Sequence, residues 1–369
     1  MFTNGKISVQ QMAILVIFSV IGDSILILPS ITATAAKQDG WICALLGLSI
    51  GLLIMSLFFY VSTLYPDLTV IQYARLLLGS WVGTFVSIIL LIHYLLNTSA
   101  MIREIGDFMT TQLLPNTPLK AVILLLILIL IWGVHNGIET IGRAAEIVFP
   151  WFVLSFVLLI VFLVPKFHSI NLMPVLAEGI KPVINGTLYV AMYPYAELCF
   201  FLMVLPSVKR SSHMRRDWLI ASVLGGVAIL TIVLACLLVL GDYLTSHQMY
   251  PAYALAKKIS IGHFLERIEA IQAVIWMLSG FFKSVLYSYS FSLGTAQLFK
   301  LKDQHVVTWP MLFLLFGISY EIAPNIAYYN QTLLKYWPFW DLTIAVIIPV
   351  VLILVHKLRN KSSEKLTIT

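Results

Sequence analysis

Charge is what this sequence has least of. Asp, Glu, Lys and Arg make up only 11% of its 369 residues, against 60% hydrophobic residues and a mean hydropathy of +0.94. A soluble domain of this length needs far more charged surface. Cysteine is scarce as well. Cys43, Cys199 and Cys236 all sit in apolar runs, with no CxxC and no paired spacing, so they read as packing residues and say nothing of redox compartment. There is no phosphate loop, HExxH or Rossmann fingerprint. GLSIG at 47–51 matches GxSxG only in form, because it lies inside an apolar helix and not at a strand-to-helix turn. His135, His168, His213, His247, His263, His305 and His356 are scattered over loops and ends, a spacing that supports no metal site. No enzyme, metal or cofactor is expected from these residues. The start, MFTNGKISVQQ, lacks a charged segment followed by a short apolar core and a small-residue cleavage site, so the first apolar run reads as a retained helix.

What the chain does have is apolar blocks of about twenty residues separated by short polar segments, the signature of a bilayer-spanning protein. The expectation is an all-α polytopic membrane protein forming one integral domain over 1–369. Ten spans are placed at 9–36, 41–64, 80–102, 119–134, 144–164, 184–205, 218–240, 267–298, 307–322 and 339–356. With a cytoplasmic N-terminus, thirteen Lys and Arg fall inside and nine outside, and the two densest clusters, KRSSHMRR and HKLRNKSSEK, both fall inside. Both termini are therefore expected on the cytoplasmic side, with 357–369 a basic tail. The net charge of +6 fits loops meeting anionic lipid and not nucleic-acid binding. PAYALAKKISIGHFLERIEA reads as a short helix lying across the outer mouth.

Two spans are interrupted. VIGDSILILPS puts Gly22, Asp23 and Ser24 midway along the first, and INGTLYVAMYPYAELCFFLMVLP puts Pro194 and Glu197 in the sixth. Pro194 cannot donate to the Val190 carbonyl, which frees an acceptor at mid-depth. Alone, Pro194 is explained by a kink and Gly22 by helix packing. An Asp inside a span, costing about 2.5–3.5 kcal/mol to insert, points to function. Disrupted helices at matching places in two five-span halves, 9–164 and 184–356, point to a midplane site in an inverted-repeat fold. Half-helix ends there offer N–H groups to an anion and C=O groups to a cation, both of which an amino-acid zwitterion needs.

GDSILILP in the first span, QDGW before the second, NLMPVLAEG before the sixth, the break ending in Glu197, Leu205-Pro206, and FLERIEAIQAVIW leading into the eighth occur in order. With them the chain resembles the spore germination receptor B subunits (endospore germination permeases), a branch of the amino acid–polyamine–organocation transporter superfamily, over essentially its whole length. The resemblance implies a LeuT-like five-plus-five inverted repeat. It implies nutrient sensing in the spore inner membrane, with a larger membrane A subunit and a lipoprotein C subunit as partners. It places a pocket for a small-molecule germinant between spans 1, 3, 6 and 8. Carried onto this chain, the pocket residues are Gly22, Asp23, Ser24, Tyr94, Thr98, Tyr193, Pro194, Ala196, Glu197, Lys283 and Tyr287. Asp23 and Lys283 stand where relatives have small or neutral residues, which puts a simple alanine-type pocket in doubt.

Asp23 and Lys283 lie at comparable depth, about fourteen or fifteen residues from the cytoplasmic ends of their spans. The expectation is that they pair, with the ammonium standing where sodium-coupled relatives of this fold bind a cation; the alternative is a Lys283 that snorkels to the interface. On span 3, Tyr94 and Thr98 face one way beside His93 and Asn97, as a pocket wall or as an interhelical contact. Glu139, Arg143 and Glu146 read as local helix pairs, and Glu266, Arg267 and Glu269 as anchors of span 8. Trp41, Tyr65, Trp81, Trp218, Trp309, Trp337 and Trp340 read as interface aromatics, and Gly47-xxx-Gly51 and Gly79-xxx-Gly83 as close-packing motifs. The function that fits best is a germinant receptor subunit binding a small nutrient, an amino acid first among them. The second is a proton-coupled secondary transporter of amino acids or amines working through Asp23 or Glu197.

Overall fold

Apolar runs that must satisfy their own backbone in lipid have one local solution, the helix. The computed structural model is helical along most of the residues it describes, 5–259, 269–325, 328–329 and 334–366. α1 (Val9–Ile21) opens on a capping box in which Ser8 and Gln11 each accept the other's N–H at 3.0 Å. There follow α2 (Ser24–Ala36), α3 (Gly40–Leu64), α4 (Val70–Phe108), α5 (Leu119–Leu163), α6 (Ile180–Met192) and α7 (Phe201–Val204). Then come α8 (Met214–His247), α9 (Pro251–Ala256), α10 (Glu269–Leu298), α11 (His305–Glu321), α12 (Leu334–Asp341) and α13 (Ile348–Leu366), the last two joined by a π-helical turn at Leu342–Ile347. The described residues hold six helical stretches long and apolar enough to cross a membrane.

The breaks in the first and sixth expected spans are present. Other junctions differ from the sequence reading. The fourth and fifth expected spans form one stretch, Leu119–Lys166, of 48 residues. As a straight helix it would be about 72 Å long against a hydrocarbon core of about 30 Å. Gly137, at φ 79°, bends it. Gly79, at φ 82°, does the same in α4 just before the expected start of span 3, and a Cβ there would meet nothing within 4 Å. Gly79 is thus a bend and not a packing contact; its partner Gly83 does pack, with a Cβ falling 2.5 Å from Arg75 Cα. Gly47 and Gly51 are close-packed as expected. Their Cβ atoms would lie 2.4 Å from Val190 Cβ and 2.1 Å from the Tyr195 ring, so α3 presses on the broken sixth span. Trp218 is not an interface residue: it is buried, and its indole N–H donates to the Met55 carbonyl at 2.9 Å. α9 is the described part of the expected mouth helix, while 260–268, with Glu266 and Arg267, lie outside the described residues. The basic tail continues α13 as helix through Leu366.

The two broken spans are tied together at both ends of the bundle. At one end Ile7 donates to Ser207 at 3.0 Å and accepts from Lys209 at 2.9 Å. At the other, the buried Asp39 accepts the Leu176 N–H with both oxygens, at 2.9 and 3.0 Å. There Gln38 also donates to the Pro174 carbonyl at 2.7 Å, and Lys37 pairs with Glu178. QDGW and NLMPVLAEG, distant in sequence, form this clasp. Asp39→Ala leaves the Leu176 N–H without its acceptor, and a loss of about 1–3 kcal/mol is expected. Chemical denaturation in detergent measures it, and an unchanged midpoint would show that the clasp carries no stability.

Candidate functional site

α1 ends where Gly22, at φ 32°, bonds back to the Phe18 carbonyl at 2.8 Å. Asp23 then sits at the N-cap of α2, but its carboxylate makes no capping bond. The first N–H groups of α2 therefore lack a side-chain acceptor, and the buried Ser24 hydroxyl has no partner among the described residues. In the sixth span, α6 stops at Met192, the chain turns through Tyr193-Pro194-Tyr195, and a 3₁₀ segment Ala196–Phe200 leads into α7.

α10 joins the two breaks. Ser279, Lys283, Tyr287 and Ser290 recur every three or four residues and so share a face. The Ser279 hydroxyl donates to the Gly22 carbonyl at 3.1 Å, Tyr287 to the Glu197 carbonyl at 2.5 Å, and Ser290 to the Phe200 carbonyl at 3.4 Å. Carbonyls freed by both interruptions are thus satisfied by hydroxyls from one helix, as irregular backbone inside a bilayer requires. Between them the Lys283 ammonium donates to Asp23 Oδ1 at 2.7 Å and also to Glu197 Oε2. All three side chains are buried, Lys283 completely. A Cβ on Gly22 would fall 2.7 Å from Lys283 Cδ, so the missing side chain at 22 leaves the corridor through which the lysine stem passes.

Asp23 and Lys283 therefore meet as their depth predicts, but the pair is a triad. Glu197 was legible as a polar residue beside a break, not as a second partner of Lys283. Tyr94 and Tyr287 face each other with ring centroids 6.1 Å apart, and Tyr193 stacks on Tyr189 at 6.4 Å. Pro194 and Ala196 are buried in the interruption itself. Thr98 is not drawn to the ions: its hydroxyl donates to the Tyr94 carbonyl of its own helix at 2.9 Å. Glu139 and Arg143 form the expected local pair at 2.6 Å. Sequence reading missed the buried acids Glu104, Asp107 and Asp341; Asp107 pairs with Arg103 on its own helix at 2.8 Å. Glu104 accepts from the Tyr329 hydroxyl at 2.6 Å, and Asp341 lies 3.9 Å from His93 Nδ1. Asp341 lies close to the expected start of the last span and drew no reading from the sequence; the helix starts earlier, at Leu334, and Asp341 at its end is fully buried. Among the described residues no cluster of His, Cys, Asp and Glu could hold a metal ion.

The family model described as spore germination protein matches residues 6–327. The chain belongs to the spore germination protein family. Spore germination protein KB of Bacillus subtilis (strain 168) is 29% identical over 364 residues, 98% of this chain and 97% of that one. Spore germination proteins YndE and A2 of the same organism are 27% and 28% identical over 303 and 315 residues, each alignment covering about four-fifths of both chains. Among solved structures, Mhp1, a nucleobase-cation-symport-1 family transporter in a closed conformation with bromovinylhydantoin bound, aligns with a TM-score of 0.70 at 12% identity. It covers 95% of this chain and 78% of its own. MhsT in complex with L-phenylalanine aligns at 0.63 and 14% identity, over 94% and 97%. At such identities the likeness shows the fold alone: this member of the spore germination protein family has the LeuT-like transporter fold and is an integral membrane protein.

Proposed function

We propose that this chain is the B-type subunit of a nutrient receptor in the spore inner membrane. A small molecule, an amino acid foremost, settles between the half-helices of spans 1 and 6, against spans 3 and 8. The observation that carries this reading is the meeting of two interrupted helices around the buried Asp23–Lys283–Glu197 triad. An apolar membrane core tolerates such a group of charges only where it is paired and used. Gly22, Ser24, Tyr94, Tyr193, Pro194, Ala196 and Tyr287 line the same region, and Thr98 supports it from span 3. Ligand binding biases an equilibrium between two arrangements of the helices, which requires different affinity for each. A membrane A subunit and a lipoprotein C subunit read that bias, with both termini on the spore-core side.

The experiment is a nutrient panel on spores lacking other receptors, comparing wild type with Asp23→Ala and Lys283→Ala. Loss of response in the variants at unchanged protein level supports the site; responses identical to wild type to every nutrient overturn it. A proton-coupled transporter of amino acids or amines is the second reading, favoured by a lysine shared between two carboxylates on the two interrupted helices. Accumulation of labelled amino acid by proteoliposomes holding this chain alone supports it, and a partner-dependent response without flux excludes it.

A further inference from the structure

On the side of the site where the last span begins, four buried polar atoms have no hydrogen-bond partner among the described residues. Both carboxylate oxygens of Asp341, the Trp340 indole N–H and the Tyr94 hydroxyl are buried and unbonded, and Asp341 itself is fully buried. Rings surround this place. His93 lies 5.9 Å from Tyr94, 6.2 Å from Tyr287 and 6.3 Å from Trp340 between centroids, and its Nδ1 is 3.9 Å from Asp341 Oδ1. The His93 side chain is held in turn by the Asn97 amide at 3.2 Å. The π-helical turn Leu342–Ile347 follows Asp341 directly, and such turns concentrate at functional sites. Asp23 and Glu197 already share Lys283, and among the described residues no ion pair joins Asp341 to a lysine or arginine.

A buried carboxylate with no donor is costly, and native interiors leave few such groups without a reason. What this place lacks is a compact cation that can sit among aromatic rings and donate hydrogen bonds. An ammonium group meets both conditions: it bonds to the carboxylate, and aromatic faces attract it. We propose that Asp341, walled by His93, Tyr94, Tyr287 and Trp340, is an acidic subsite that receives the ammonium group of an amine-bearing ligand. It rests on the reading that this chain binds a small nutrient, and it specifies the nutrient's class. The Tyr94 hydroxyl and Trp340 N–H, unbonded among the described residues and on rings that neighbour His93, are the donors left for an acceptor on the same ligand.

The test uses the full-length protein in lipid nanodiscs. Binding is measured by calorimetry for L-alanine, L-valine, L-asparagine, L-lysine and n-butylamine. The ammonium-free probes are N-acetyl-L-alanine, propionate and D-glucose. At least one ammonium-bearing probe is expected to bind, at least about 10-fold more tightly than the ammonium-free probes. Asp341→Asn is expected to weaken it by roughly 10- to 100-fold, the range for loss of a buried charge-assisted hydrogen bond. The apo variant should melt at or above the wild-type temperature, since a neutral isostere replaces an unpaired charge. Unchanged affinity in Asp341→Asn overturns the subsite, as does an ammonium-free probe binding wild type as tightly as an ammonium-bearing one. Either result leaves the nutrient-binding reading standing, whereas a wild type that binds none of the probes overturns both. Should Asp341→Asn not fold, the wild-type comparison of L-alanine with N-acetyl-L-alanine still decides whether the ammonium is recognised.

Discussion

Lys283→Ala is expected to destabilise the protein by about 3–5 kcal/mol, because breaking a buried ion pair from one side leaves its partner uncompensated. Here two partners are left, Asp23 and Glu197, both on helix interruptions and both buried. Adding Asp23→Asn and Glu197→Gln to a Lys283→Met chain should recover most of the loss, since replacing a whole buried ionic group with neutral residues is often tolerated. A plain exchange, Asp23→Lys with Lys283→Asp, should recover less, because Glu197 would then face a carboxylate at position 283. Thermal melting of the purified variants in nanodiscs measures the series. A Lys283→Ala protein that melts like wild type would mean that the triad does not hold the two breaks together.

The second large effect is expected at Gly22. Its backbone, at φ 32° and ψ −127°, is one that residues with a side chain rarely adopt, and forcing one there costs on the order of 1–3 kcal/mol. A methyl group would also fall 2.7 Å from Lys283 Cδ and 3.1 Å from the Ser19 carbonyl. Gly22→Ala should therefore push the lysine from its carboxylates and abolish the nutrient response even in the folded fraction. A double-mutant cycle separates the two causes. In a Lys283→Ala chain the collision with the lysine is gone, and only the backbone strain and the close Ser19 carbonyl remain, so Gly22→Ala should cost less there than in wild type. If the two losses simply add, the lysine corridor is not why position 22 is glycine.

Much of the site was legible because its signals are local. Gly22-Asp23-Ser24 and Tyr193-Pro194 announce where a helix cannot continue, whatever surrounds them. The depth of Asp23 and Lys283 follows from counting along their spans. Glu197 was visible as an acid beside a break, yet its hold on Lys283, 86 positions away, depends on how the sixth span packs against the eighth. Asp341 was hidden by a boundary error: hydropathy starts the last span at 339, while the described helix runs from Leu334. Gly79 and Trp218 were misread for a related reason. A glycine four residues from another looks the same whether it packs or bends, and a tryptophan near a span end looks the same facing lipid or a neighbouring helix.

By itself the sequence determined that the chain is a helical membrane protein, that its first and sixth spans are broken, and which family it resembles. These follow from hydropathy, from residues that interrupt helices, and from motif order, all properties of short stretches of chain. Only the tertiary structure decided which charges meet. An ion pair spanning 260 positions is a matter of helix rotation and packing, and in a buried site that packing determines which carboxylates share Lys283 and which one, Asp341, has no hydrogen-bond partner among the described residues.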